Sequence, residues 1–202
     1  MRKILLDYVI RNKKNFIVIV ILFCIGITVG IFFINNSNEV QIKEINGHIE
    51  NLINNIKNSE DINKMELLFL SIKQNVLFII LIWFLGCTIL GGIFIYLAII
   101  YKGFSIGYTI SAIIATLGIK NGTIFALISL FMQNIIFIPA FFIIAENGIK
   151  LYKGIYKKCI NLKEEVIRHT VIMLISIMLA IISSCIEVYF STNLLIFLKE
   201  IL

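Results

Sequence analysis

Residues 76–145 read VLFIILIWFL GCTILGGIFI YLAIIYKGFS IGYTISAIIA TLGIKNGTIF ALISLFMQNI IFIPAFFIIA, with only two charged side chains, Lys102 and Lys120. Each lysine adjoins glycine-bearing sequence, Tyr101-Lys102-Gly103 and Lys120-Asn121-Gly122. Read as breaks, they divide the run into apolar blocks at 76–100, 104–119 and 123–145. About 20 helical residues cross a hydrocarbon core of roughly 30 Å. The outer blocks are long enough, and the middle one spans if its flanking lysines snorkel to the headgroups. The reading is an all-α packet of three helices joined by tight turns inside a bilayer.

Composition agrees with that reading. The chain is 59% hydrophobic and 15% charged, with a mean hydropathy of +0.98, whereas soluble domains carry about 25% charge. The net charge of +6 is spread around apolar spans instead of forming a stripe, which points to membrane orientation and away from nucleic acid. Cys24, Cys87 and Cys185 lie in apolar runs and Cys159 in a basic loop, with no CxxC pair. The histidines, His48 and His169, are far apart in sequence, so no metal or other cofactor is expected.

Outward from the packet, residues 1–15 are basic and expected in the cytoplasm, and 16–34 form an uncharged first span. That span is too long for a signal-peptide core and lacks a small-x-small cleavage site after it. Gly26 and Gly30 within it permit close helix approach. Residues 35–75 are the one sizeable aqueous segment. Ile42, Ile45, Ile49, Leu52, Ile53 and Ile56 recur at helical spacing, and Asn58-Ser59-Glu60-Asp61 supplies cap residues for a second helix. That helix carries Ile62, Met65, Leu68, Phe69 and Ile72 on one stripe. The expectation is an outer helical hairpin, with Ile45, Ile49, Leu52 and Ile56 as a candidate partner-docking stripe.

Farther on, Gly86, Gly91, Gly92, Gly103 and Gly107 let backbones approach within the packet. Gln133 and Asn134 are amides in an apolar span, suited to bonding a neighbouring helix or lining a path. Pro139 is expected to kink its helix. Residues 146–170 read as a basic cytoplasmic loop with a short surface helix at Leu151, Tyr152, Ile155 and Tyr156. Residues 171–202 give a fifth span, ending near Glu187, and an outer tail. In this topology residues 1–15, the Lys102 turn and 146–170 hold twelve of the 18 Lys and Arg. The positive-inside rule then places the N-terminus inside, and the hairpin and C-terminus outside.

Lys73-Gln74-Asn75, the run Tyr101-Lys102-Gly103-Phe104-Ser105-Ile106-Gly107-Tyr108, and Gln133-Asn134 followed by Pro139-Ala140 together resemble the stage II sporulation protein M family. The likeness extends over essentially the whole chain, although Met132 stands where the pattern would have a proline. The resemblance implies a non-enzymatic role in the mother-cell membrane at the sporulation septum. There, members of the family recruit two peptidoglycan-degrading partners, stage II sporulation proteins P and D, for engulfment. Two other classes compete. A hydrolase would have to use His48 and nearby glutamates, which form no ordered constellation. A small transporter or export permease would use Gln133, Asn134 and the Pro139 kink, and against it stands the expectation that the spans lack buried carboxylates and an evident inverted repeat.

Overall fold

The computed structural model describes residues 13–38, 47, 64–88, 90–157 and 161–191; at 128–133 it describes the backbone alone. The described residues are helical, without a strand. Helix α1 is Lys13–Asn35, α2 is Lys64–Gly86, α3 is Gly91–Lys157 and α4 is Leu162–Ile186, followed by a π-helical turn at Glu187–Ser191. Five stretches are long and apolar enough to cross a bilayer: Lys14–Asn35, Met65–Gly86, Gly91–Leu127, Asn134–Tyr156 and Leu162–Tyr189. The chain is thus a multi-pass, all-α membrane protein, as its composition and apolar blocks predict.

Two of the five stretches lie in α3, which doubles back on itself. The reversal is at Gly118, whose φ of 78° is the one non-helical position in the helix. Side chains other than glycine's pay a steric penalty in that region. Beyond it the chain returns, bringing Gly122 against Ile113 and Ile114. This break lies two residues before Lys120, close to the expected outer turn, and Lys120 is exposed there.

The inner turn is elsewhere than expected. No break occurs at Lys102-Gly103, where the helix runs straight through. The chain instead turns at 87–90, where Gly91 donates to Thr88 and the Thr88 hydroxyl to the Leu85 carbonyl. A turn needs satisfied backbone groups and compact residues, which Gly86, Thr88 and Gly91 supply without a charge. The second span therefore starts at Met65, not Val76, and the expected second arm of the outer hairpin is itself a membrane helix. Met65, Phe69 and Leu70 face outward, toward lipid. The first arm of the hairpin, with Ile45, Ile49, Leu52 and Ile56, lies outside the described residues.

The expected loop at 146–170 also contracts. Residues 146–157 continue α3, Leu151, Tyr152, Ile155 and Tyr156 included, and α4 begins at Leu162. Pro139 sits within α3 on an exposed face, with no non-helical dihedral at its position.

Packing centres on Ile79 and Ile82 of α2, Ile95 and Ile99 in the first arm of α3, Phe137 and Phe141 in the second, and Ile19 of α1. Along the α1–α3 seam four glycines interleave. A Cβ on Gly26 or Gly30 would strike backbone between Ile100 and Tyr108, and one on Gly103 or Gly107 would strike backbone at Phe23 or Ile27. Residue numbers climb together across this seam, so α1 and the first arm of α3 run parallel. With no hydrophobic drive between helices in lipid, such close approach supplies the dispersion contacts that hold them.

Candidate functional site

The bundle carries a polar cavity of about 280 Å³ between α2, α3 and the π-helical turn. Its walls include Ser71, Gln74 and Asn75 of α2, Lys102, Ser105 and Thr109 on the first arm of α3, Asn134 on the second arm, and Glu187. Lys102 is eleven positions beyond Gly91, a rise of roughly 16 Å, about half of a hydrocarbon core. A lysine at that depth is costly unless its surroundings compensate.

Two features do so, the aromatic rings beside it and an opposite charge across the cavity. The Lys102 ammonium lies 4.6 Å from the ring centre of Phe137 and 5.7 Å from that of Phe78, a cation–π arrangement worth about 0.5–2 kcal/mol. Across the cavity, Glu187 exerts an opposing charge on it. The Glu187 carboxylate is held by its own wall, accepting a hydrogen bond from the Ser71 hydroxyl. Asn75, itself buried, extends the network by donating to Ser184 at 3.0 Å and to Ser71 at 3.4 Å.

The spacing explains why these residues meet. Ser71 and Asn75 are four apart on α2, and Ser184 and Glu187 are three apart, so each pair shares one helix face. The signal in the sequence was this pairing of small polar residues at helical spacing inside apolar runs. It is masked in the sequence because a lysine beside glycine reads as a headgroup anchor and Glu187 as the end of a span. The expectation that the spans hold no buried carboxylate is overturned by Glu146, while Glu187 is half-buried at the cavity wall. Glu146 is 1% exposed and pairs with Lys150 at 2.9 Å.

The other sequence-selected residues fall in several places. Gly103 and Gly107 lie in the α1 seam, and Phe104 packs against Phe33 and Tyr108. Asn134 lines the polar cavity and an adjoining apolar one of about 220 Å³, bordered by Phe23, Ile106, Ile114 and Ala126. The Gln133 side chain lies outside the described residues, as do His48 and Cys159. Cys24, Cys87 and Cys185 are free thiols, and burial pushes Cys87, in the inner turn, above the ordinary thiol range. Among the described residues no cluster of His, Cys, Asp and Glu is arranged to hold a metal.

At the opposite end of the bundle His169 is fully buried, wedged between the backbones of Gly86 and Gly148. Trp83 donates to Thr170 at 3.2 Å beside it. Lys153 donates to Asn15 at 2.8 Å, tying the start of α1 to the end of α3. The start of α1 and the end of α3 therefore share one end of the molecule.

Residues 19–192 match the family described as Stage II sporulation protein M. No curated protein and no solved structure matches the chain. The matched stretch reaches all five apolar spans and the residues of the polar cavity, so the chain is a sporulation-associated membrane protein belonging to the stage II sporulation protein M family.

Proposed function

We propose that this protein is a non-enzymatic membrane scaffold that recruits or anchors peptidoglycan-degrading proteins at the sporulation septum during engulfment. Stage II sporulation proteins P and D are the expected partners. Family membership supports the sporulation setting. The observation that carries the scaffold reading is how the aqueous segment is held. Twenty-eight residues separate Asn35 from Lys64, and each end continues into a membrane helix of the bundle. Through the glycine seam, α1 is locked to α3, so this segment is presented from a fixed base. Its stripe Ile45, Ile49, Leu52 and Ile56 has the i, i+3, i+4, i+7 character of a helix-docking face.

The orientation belongs to the same proposal. Residues 1–15 and 150–168 hold eleven of the 18 Lys and Arg, and the Lys153–Asn15 bond joins them at one end. The positive-inside rule makes that end cytoplasmic. The segment after Asn35 and the C-terminus then face the cell wall, on the mother-cell side of the septum.

The test is Ile49→Asp with Leu52→Asp, with membrane abundance checked by immunoblot. Each buried aliphatic anchor contributes about 1.5–3 kcal/mol, so the pair should weaken a partner complex by roughly two orders of magnitude or more. The variant should remain in the membrane while hydrolase co-purification fails and engulfment stalls. Recovery of the partner at wild-type yield removes docking from this segment.

A second reading, a small transporter or permease subunit, is favoured by the charged cavity within the spans. Solute flux in reconstituted vesicles, abolished by Lys102→Met, would support it against the scaffold.

A further inference from the structure

We infer that the polar cavity is a binding site for a small zwitterion, with the ligand's anionic group on Lys102 and its ammonium on Glu187. The inference deepens the second reading by naming a ligand class, and rests on the cavity alone, not on transport. The first argument is that the two charges face one space without contacting each other. Lys102 rests on the rings of Phe78 and Phe137, and Glu187 on the Ser71 hydroxyl. Opposite charges in a low-dielectric setting gain most by direct contact, unless the groups between them are matched to both. Each is instead held at its own wall, and both border the same cavity.

Charge balance then selects the ligand. A simple anion would satisfy Lys102 and confront Glu187, and a simple cation would do the reverse. Either leaves a net charge inside the spans, which is expensive. A neutral molecule with separated ammonium and anionic groups satisfies both walls. Asn75, Ser105 and Thr109 add side chains able to donate or accept at its flanks. Size selects too: about 280 Å³ lies at the lower edge of ordinary small-molecule sites. That accommodates an amino acid or a phosphoethanolamine group and excludes a peptide.

Those two sources share the chemistry, and the test separates them. Purified wild-type protein is placed in phosphatidylglycerol nanodiscs, and its thermal unfolding is followed while alanine, or glycerophosphoethanolamine, is titrated in. A parallel series replaces part of the phosphatidylglycerol by phosphatidylethanolamine. Stabilisation by alanine identifies a free amino acid. Stabilisation by glycerophosphoethanolamine and by the zwitterionic lipid, but not by alanine, identifies a headgroup. Lys102→Met and Glu187→Gln should each weaken the effective ligand by about tenfold to a hundredfold, the value of a hydrogen bond to a charged group. Ser105→Leu, which fills the cavity and leaves both charges, should abolish the response and decides the matter if either charge variant fails to fold. No stabilisation of wild type by any of the three probes, or equal stabilisation of wild type and Ser105→Leu, overturns the proposal. Binding without flux keeps the ligand site and removes the transporter reading. Flux without saturable stabilisation removes the ligand site and keeps transport.

Discussion

A side chain at Gly107 would drive its Cβ into the backbone carbonyl of Ile27, which has no rotamer by which to withdraw. The same holds at Gly103 against Phe23, and on the other side of the seam at Gly26 and Gly30. Gly107→Leu therefore requires α1 and α3 to separate, and overpacking of this kind typically costs about 1–3 kcal/mol. A lower melting temperature in detergent and a reduced steady-state level in membranes are expected, with wild-type values of both counting against the seam. These glycines were legible in the sequence because two GxxxG steps, Gly26/Gly30 and Gly103/Gly107, stand out in otherwise bulky spans. That they face each other was not legible, since nothing local in either step specifies its partner. The interior position of Lys102 is hidden for a related reason. A lone lysine beside glycine in an apolar run normally anchors at headgroups, and only the convergence of Phe78, Phe137 and Glu187 from three distant segments makes its interior placement tolerable.

At the scale of elements, the helices that announce themselves by uncharged length are where the sequence puts them, whereas the turns depend on chemistry that hides. The outer turn at Gly118 lies beside Lys120 and Asn121, polar residues with glycine on either side, so it was nearly located from the sequence. The turn between α2 and α3, with Cys87, Thr88 and Leu90, is as free of charge as the helices it joins. The two placements differ in a measurable way. Tyr101 is 63% exposed on the outer surface of the bundle, facing lipid. In a background without native cysteines, Tyr101→Cys should resist an impermeant maleimide in intact and in permeabilised cells. Asn121→Cys, at the exposed outer turn, should react in intact cells. Labelling of Tyr101→Cys after permeabilisation would return the inner turn to Lys102.

For the molecule as a whole, the number of spans survives a shift in their register because two displacements compensate. The second span begins eleven residues before the expected Val76 start, at Met65, and ends at the 87–90 turn; the third then takes in Lys102. The sidedness proposed above does not depend on this shift, since the basic segments it is argued from lie in residues 1–15 and 150–168. Ser59→Cys should label from outside intact cells and Lys157→Cys only after permeabilisation. The reverse pattern would invert the molecule, and labelling of both from outside would reject an odd number of crossings between them. The polar cavity was the least legible feature at this scale. It requires residues 71, 75, 102, 134 and 187 to meet, and such separations are set by tertiary packing alone.

The charge-free turn between α2 and α3 has a bearing on how the chain enters the membrane. Orientation during insertion is read from lysine and arginine near span ends, and this connection offers none. The pair α2 and first-arm α3 thus carries no address of its own at the tip that joins them. Its direction is inherited from the basic segment ahead of α1 and ratified by the basic segment before α4. During biogenesis the two helices travel as passengers, able to enter together once their neighbours have chosen a side.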